Sequence, residues 1–192
     1  MAVSEAKRIR SQQKLREARG YLELTGLCDE FAPLSPACRD ALARRVLAAV
    51  GELERTRQSR PIIKDIKYLT GMALRVMERH REAIDALEAA AELDAENVEI
   101  WLALGWCHKR TGRLDLAIES LQEALSIDPD QAIIYYNLAC YWSLAMNTKL
   151  ALEFLARSFE LDESFRQLVN REPDFDPIRS DPAFLELTSV VV

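Results

Sequence analysis

The chain has 192 residues, 49% hydrophobic and 29% charged, with only 6 Gly, and its 25 Lys and Arg stand against 31 Asp and Glu for a net charge of -6. That composition supplies apolar material for a continuous core and excludes a disordered, collagen-like or membrane-spanning chain. Charge is unevenly spread: residues 1–60 hold 12 basic and 8 acidic residues, residues 61–192 hold 13 and 23, and an acidic stretch of that kind repels nucleic acid.

The first ten residues, Met1 to Arg10, carry charge where a secretory leader needs an apolar run, so the expected location is cytoplasmic. Residues 5–25 are rich in helix formers and predict a first helix. Its basic residues Lys7, Arg8, Arg10, Lys14, Arg16 and Arg19 form either a solvated face or a surface for something acidic, on a partner or in the chain's own acidic half. Ser35-Pro36 is an N-cap and first-turn pair that opens a second helix to about Glu54, with Ala41, Leu42, Val46, Leu47, Val50 and Leu53 as its apolar stripe.

From residue 64 the chain matches itself at a shift of 34 residues. Lys67, Trp101 and Tyr135 align, as do Gly71, Gly105 and Ala139, then Ala83, Ala117 and Ala151, and Leu87, Leu121 and Leu155. Leu93-Asp94, Ile127-Asp128 and Leu161-Asp162 close three units, residues 64–97, 98–131 and 132–165. In the middle unit two helices, residues 98–110 and 114–127, flank Thr111-Gly112-Arg113, where Gly supplies the left-handed backbone that ends a helix. Each unit is therefore a helical hairpin. Gly105 and Ala117 sit where its two backbones approach closely, and Trp101, Leu104, Leu121 and Leu125 fill the crossing.

The fourth unit fails early. Glu172-Pro173 interrupts a helix begun near Glu163, and Asp181-Pro182 opens a last short helix carrying Phe184, Leu185 and Leu187. The predicted organisation is one contiguous domain: residues 1–60 as an N-terminal helical hairpin, residues 61–165 as the three repeats, and residues 166–192 as a C-terminal cap. Caps are required because the end of a repeat stack exposes apolar surface.

The segment Trp101-x-x-Leu104-Gly105-x-x-His108, followed by Ala117, Leu121, Ala124 and Pro129, resembles a tetratricopeptide repeat, with His108 where the pattern has Tyr. Tyr135, Leu138, Ala139, Trp142, Ala151, Leu155 and Ser158 repeat it without the closing Pro, and residues 64–97 are a weaker copy with Lys67 and Thr70 in place of the large apolar pair. The run from Glu172 to Phe184 resembles the segment that ends some bacterial tetratricopeptide arrays. The resemblance implies an all-α, right-handed α-solenoid of helical hairpins with helical caps at both ends, and a bacterial origin.

It also implies a groove lined by the first helix of each unit. Transferred by register, the groove positions are Tyr68, Met72 and Arg75, then Leu102, Trp106 and Lys109, then Tyr136, Cys140 and Ser143, with Asn137 beside them. The expected partner is a protein segment or helix that buries apolar anchors among these aromatics, with self-assembly through groove or caps as the alternative function. Either the N-terminal helix or Val190 to Val192 is an alternative occupant of that groove. A clamp for chaperone C-termini is not expected, because Tyr68, Met72, Ala103 and Ile133 stand where it needs Lys and Asn, and only Asn137 agrees.

No catalytic constellation is present in the sequence, so no enzyme activity and no cofactor are expected. His80-Arg81-Glu82 lacks the Pro-Cys-x-x-Cys that a zinc deaminase needs beside it. Cys28, Cys38, Cys107 and Cys140 make no Cys-x-x-Cys pair and have no His at ligand spacing; they read as reduced, buried thiols, with neither metal nor disulfide.

Overall fold

A computed structural model describes residues 2–31, 34–56 and 58–189, with the side chains of residues 2–4 and 27–31 outside that description. All regular structure among these residues is helical, and none of the helices is long and apolar enough to cross a membrane. The chain divides into two compact units, Met1–Glu96 and Asn97–Val192.

In the N-terminal unit, helix α1 (Ala2–Phe31) pairs with α2 (Pro36–Glu54), and α3 (Arg60–Val76) pairs with α4 (His80–Ala91). α1 outruns the predicted 5–25: no proline occurs before Pro33, and the helix runs on through the weak formers Thr25 and Gly26 to Phe31. Ser35 caps α2 as expected, its hydroxyl accepting from the Cys38 amide at 3.3 Å. The buried stripe of α2 is Ala43, Val46, Ala49, Val50 and Leu53, while Ala41 is exposed and Leu42 and Leu47 are half-buried. The difference is one of phase: Ala43 and Ala49 allow close approach to α1 and α3, where Leu15, Ala18, Ile66, Leu69 and Ala73 complete the core. Polar links tie these elements together, among them Ser11 to Gln58, Lys14 to Glu52, Arg19 to Asp65, Lys67 to Glu54 and Lys64 to Asp94.

The C-terminal unit holds α5 (Val98–Arg110) and α6 (Leu114–Ile127), then α7 (Ala132–Leu144) and α8 (Thr148–Leu161). A 3-10 turn (Glu163–Phe165) leads into α9 (Arg166–Val169), a second 3-10 turn (Pro173–Ile178) follows, and α10 (Pro182–Thr188) is last. Asp181 caps α10, its carboxylate accepting from the Ala183 amide at 2.8 Å. Glycine matters most at the hairpin crossings. A methyl group on Gly105 would lie 3.2 Å from Leu121 and from the Ala117 carbonyl oxygen, and one on Gly71 would meet Leu87 at 2.6 Å.

The turn inside each hairpin repeats closely. Glu78, Gly112 and Met146, each 34 residues apart, have φ of 58°, 77° and 58°. In all three the next amide reaches back five residues, from Arg79 to Leu74, Arg113 to His108 and Asn147 to Trp142, at 2.9 Å, closing the helix end in the same way. Only the middle copy uses the residue suited to that conformation. At Met146, 69% exposed, Met146→Gly removes a left-handed side chain that costs about 1–2 kcal/mol, partly offset by about 0.5–1 kcal/mol of glycine entropy. The expected result is a gain of up to about 1 kcal/mol in urea unfolding, and a loss of stability would contradict this account.

Candidate functional site

The face of α3 that carries Tyr68, Met72 and Arg75 belongs to the N-terminal unit, and all three side chains are half-buried. Asp65 lies three residues before Tyr68 on the same helical face. Its carboxylate accepts from Arg19 of α1 at 2.9 Å, so this face borders a cleft between α1 and α3. Tyr68 packs on the edge of the core built around Leu15 and Leu69.

In the C-terminal unit the predicted residues divide. Leu102, Trp106 and Lys109 on α5 are half-buried, and the guanidinium of Arg110 stands 5.7 Å from the Trp106 ring centre. Tyr136 and Cys140 on α7 are 4% and 3% exposed, and Ser143 is fully buried. Asn137 is half-buried. Tyr136 and Cys140 therefore do not line an open surface, because the segment after α8 folds back over α7.

That segment covers them by packing and by charge. Phe165 stacks against Tyr136 at 5.0 Å between ring centres, and Phe175 meets the same ring edge-on at 5.7 Å. Phe175 in turn packs on Phe184 at 5.6 Å, joining α10 to the cluster. Asp174 accepts from the Lys109 ammonium, which also lies 5.5 Å from the Tyr141 ring centre, so the predicted basic margin of α5 is neutralised within its own unit. Arg179 fastens the segment, donating to the Glu172 carbonyl at 2.7 Å, to the Val169 carbonyl at 3.3 Å and to Asp176 at 2.9 Å. The Tyr136 hydroxyl is buried here with no hydrogen-bond partner among the described residues. Burial, reinforced by Glu172 and Asp174, holds the Cys140 thiol well above its ordinary range, and burial likewise raises the Tyr136 and Tyr141 phenols.

Sequence reasoning offered the N-terminal helix or Val190 to Val192 as occupants of the groove. The residues found over α7 are Phe165 and Phe175, and Val190 to Val192 lie outside the described residues. A signal for Phe175 was available: in Glu172-Pro173-Asp174-Phe175-Asp176-Pro177 it is the one large apolar side chain, so it is the residue that must turn inward. Of the cysteines, Cys107 and Cys140 are buried, whereas Cys38 is exposed, contrary to the expectation. It occupies the solvent side of the first turn of α2, ahead of the first buried residue Ala43. The Cys28 side chain lies outside the described residues. Among the described residues no group of His, Cys, Asp and Glu is placed to hold a metal ion.

Residues 68–132 match the tetratricopeptide repeat family model. Among curated proteins, anaphase-promoting complex subunit 3 of Dictyostelium discoideum is 35% identical over 63 residues, 33% of this chain and 6% of that protein. The Schizosaccharomyces pombe subunit of the same name is 24% identical over 123 residues, 64% of this chain and 18% of that one. The chain thus spans less than a fifth of the length of either relative. Among solved structures, YrrB, a tetratricopeptide protein described as having an unusual peptide-binding site, superposes with a TM-score of 0.61 at 18% identity, covering 83% of this chain and 85% of that one. MamA superposes with a TM-score of 0.55 at 18% identity over 78% and 89% of the two chains. The 34-residue spacing of crossings and turns, the matched segment and the shared fold agree: residues 68–132 carry the tetratricopeptide-repeat pattern, and the chain has an all-α, tetratricopeptide-like α-solenoid fold.

Proposed function

We propose that this chain is a non-catalytic interaction scaffold whose first helices, α3 and α5, each offer a face on which a segment of a partner protein is held. The observation that carries the reading is Trp106: a large aromatic at a groove position that stays half-buried while its neighbours Ala103, Leu104 and Cys107 go into the core. Trp and Tyr are the side chains that most often dominate binding energy, and Tyr68, in register with Leu102, is an aromatic at a predicted groove position on α3, one turn before Met72, the counterpart of Trp106. A likeness of fold to YrrB, whose own description includes a peptide-binding site, supports the same reading.

The test is affinity capture with wild type against a Tyr68→Ala/Trp106→Ala variant shown by circular dichroism to keep its helix content. Tyr136 is left intact because it is core. A partner held by wild type and lost by the variant supports the scaffold; a partner held equally by both places the contact elsewhere. Recovery of the protein's own copies alone favours self-assembly.

A further inference from the structure

The cleft between α1 and α3 has a volume of about 390 Å³ and is lined by Gln12, Leu15, Arg16, Arg19 and Asp65. Gln12, Arg16 and Arg19 follow one face of α1 at helical spacing, a row about 10 Å long at 1.5 Å rise per residue. Leu15 forms an apolar floor, 5% exposed. The three cations of this stretch differ in what they already hold. Lys14 is paired with Glu17 and Glu52, and Arg19 with Asp65, whereas Arg16 has no ion pair among the described residues. Two guanidiniums therefore face one carboxylate.

We propose that this cleft docks an acidic, extended segment of a partner protein, with Arg16 as the free guanidinium that takes a carboxylate and Gln12 donating beside it. Three residues of extended chain span the same 10 Å or so as the row of donors. A guanidinium presents paired donors that match a carboxylate, and the half-buried Tyr68 and Met72 continue apolar surface along the face of α3 that begins at Asp65. Nucleic acid suits the cleft less well. Asp65 would oppose a phosphate, and the N-terminal unit as a whole has 17 basic against 16 acidic residues, far short of a phosphate-binding field. The C-terminal unit, with 8 basic against 15 acidic, repels an acidic segment and so favours the N-terminal one.

This inference names the chemistry of a partner and rests on the scaffold reading, but its test does not pass through Trp106. The full chain is titrated into a fluorescein-labelled peptide of alternating Glu and Leu at about 50 mM salt, where exposed charges are weakly screened, with a Lys/Leu peptide as control. Binding of the acidic peptide alone is expected, weakened about tenfold or more by Arg16→Glu. Arg10→Glu makes the same charge change on α1 outside the cleft lining and should alter affinity by no more than about twofold. Asp65→Asn releases Arg19 and should tighten binding severalfold, a gain that a merely structural role for Asp65 would not give. The proposal is overturned if the acidic peptide does not bind, if Arg16→Glu and Arg10→Glu weaken it equally, or if poly-uridine competes better than unlabelled peptide. Failure of the Tyr68/Trp106 capture with peptide binding intact would instead count against the scaffold reading at those two aromatics and leave the cleft proposal standing.

Discussion

Phe175→Ala should cost about 3–5 kcal/mol, because a fully buried phenyl is removed from between Tyr136 and Phe184. The cost has two physical parts. One is the transfer free energy of the lost ring, and the other is the cavity, which cannot collapse readily: Arg179, four residues after Phe175, holds the Val169 and Glu172 carbonyls before it, and Pro173 and Pro177 restrict the backbone further. Because Trp101, Trp106 and Trp142 all lie in the C-terminal unit, tryptophan fluorescence in a urea titration reads that unit specifically. A second readout follows from the cover that Phe175 provides. Cys140, 3% exposed in the native protein, should gain measurable reactivity toward a thiol reagent under native conditions, located by peptide mapping. A loss below about 1 kcal/mol with Cys140 still inert would mean that the segment is an appendage and α7 is sealed by other means.

Much of this was legible in the sequence wherever a local rule decides the outcome. The ends of α5 and α6 coincide with the predicted 98–110 and 114–127, because Asn97 caps one helix and Gly112 allows the turn before the other. The same turn at Glu78 and Met146 had no glycine to announce it; the repeat period was the signal, since a conformation required in one copy is required in its neighbours. The site was harder to read for a different reason. The positions of Tyr136 and Cys140 follow from register, but their exposure depends on what packs over α7, and no periodicity encodes where an irregular, proline-rich stretch docks. Lys109 shows the same limit. Its place on α5 was predictable, but its partner Asp174 is 65 residues away, beyond the reach of any local pattern. The cleft at Arg16 and Arg19 combines both cases: the basic helix was evident, and the pairing that leaves one guanidinium unmatched is a tertiary fact.

Leu121→Ala is the corresponding test of the repeat itself, with an expected cost of about 2–5 kcal/mol. Leu121 is fully buried, as are its counterparts Leu87 and Leu155, and its Cγ and Cδ2 lie 3.2 Å from where a Cβ on Gly105 would stand. The absence of a side chain at Gly105 is what lets Leu121 lie against the α5 backbone, so the two positions form one packing unit. That coupling yields a sharper expectation than the single loss. Gly105→Ala in the wild-type background brings a methyl group into tight contact with Leu121, whereas with Leu121→Ala the same methyl group enters vacated space and contributes helix propensity worth up to about 1 kcal/mol. The double variant should therefore be more stable than the sum of the single losses by about 0.5 kcal/mol or more, in the range found for directly contacting pairs. Only the Ala117 carbonyl oxygen, also 3.2 Å from the new methyl group, limits the gain, and the third repeat, with Ala139 at this position opposite Leu155, shows that the hairpin accommodates one. Strict additivity in urea unfolding followed by tryptophan fluorescence would mean that Gly105 and Leu121 do not share a contact, and a single-variant loss under about 1 kcal/mol would remove Leu121 from the core.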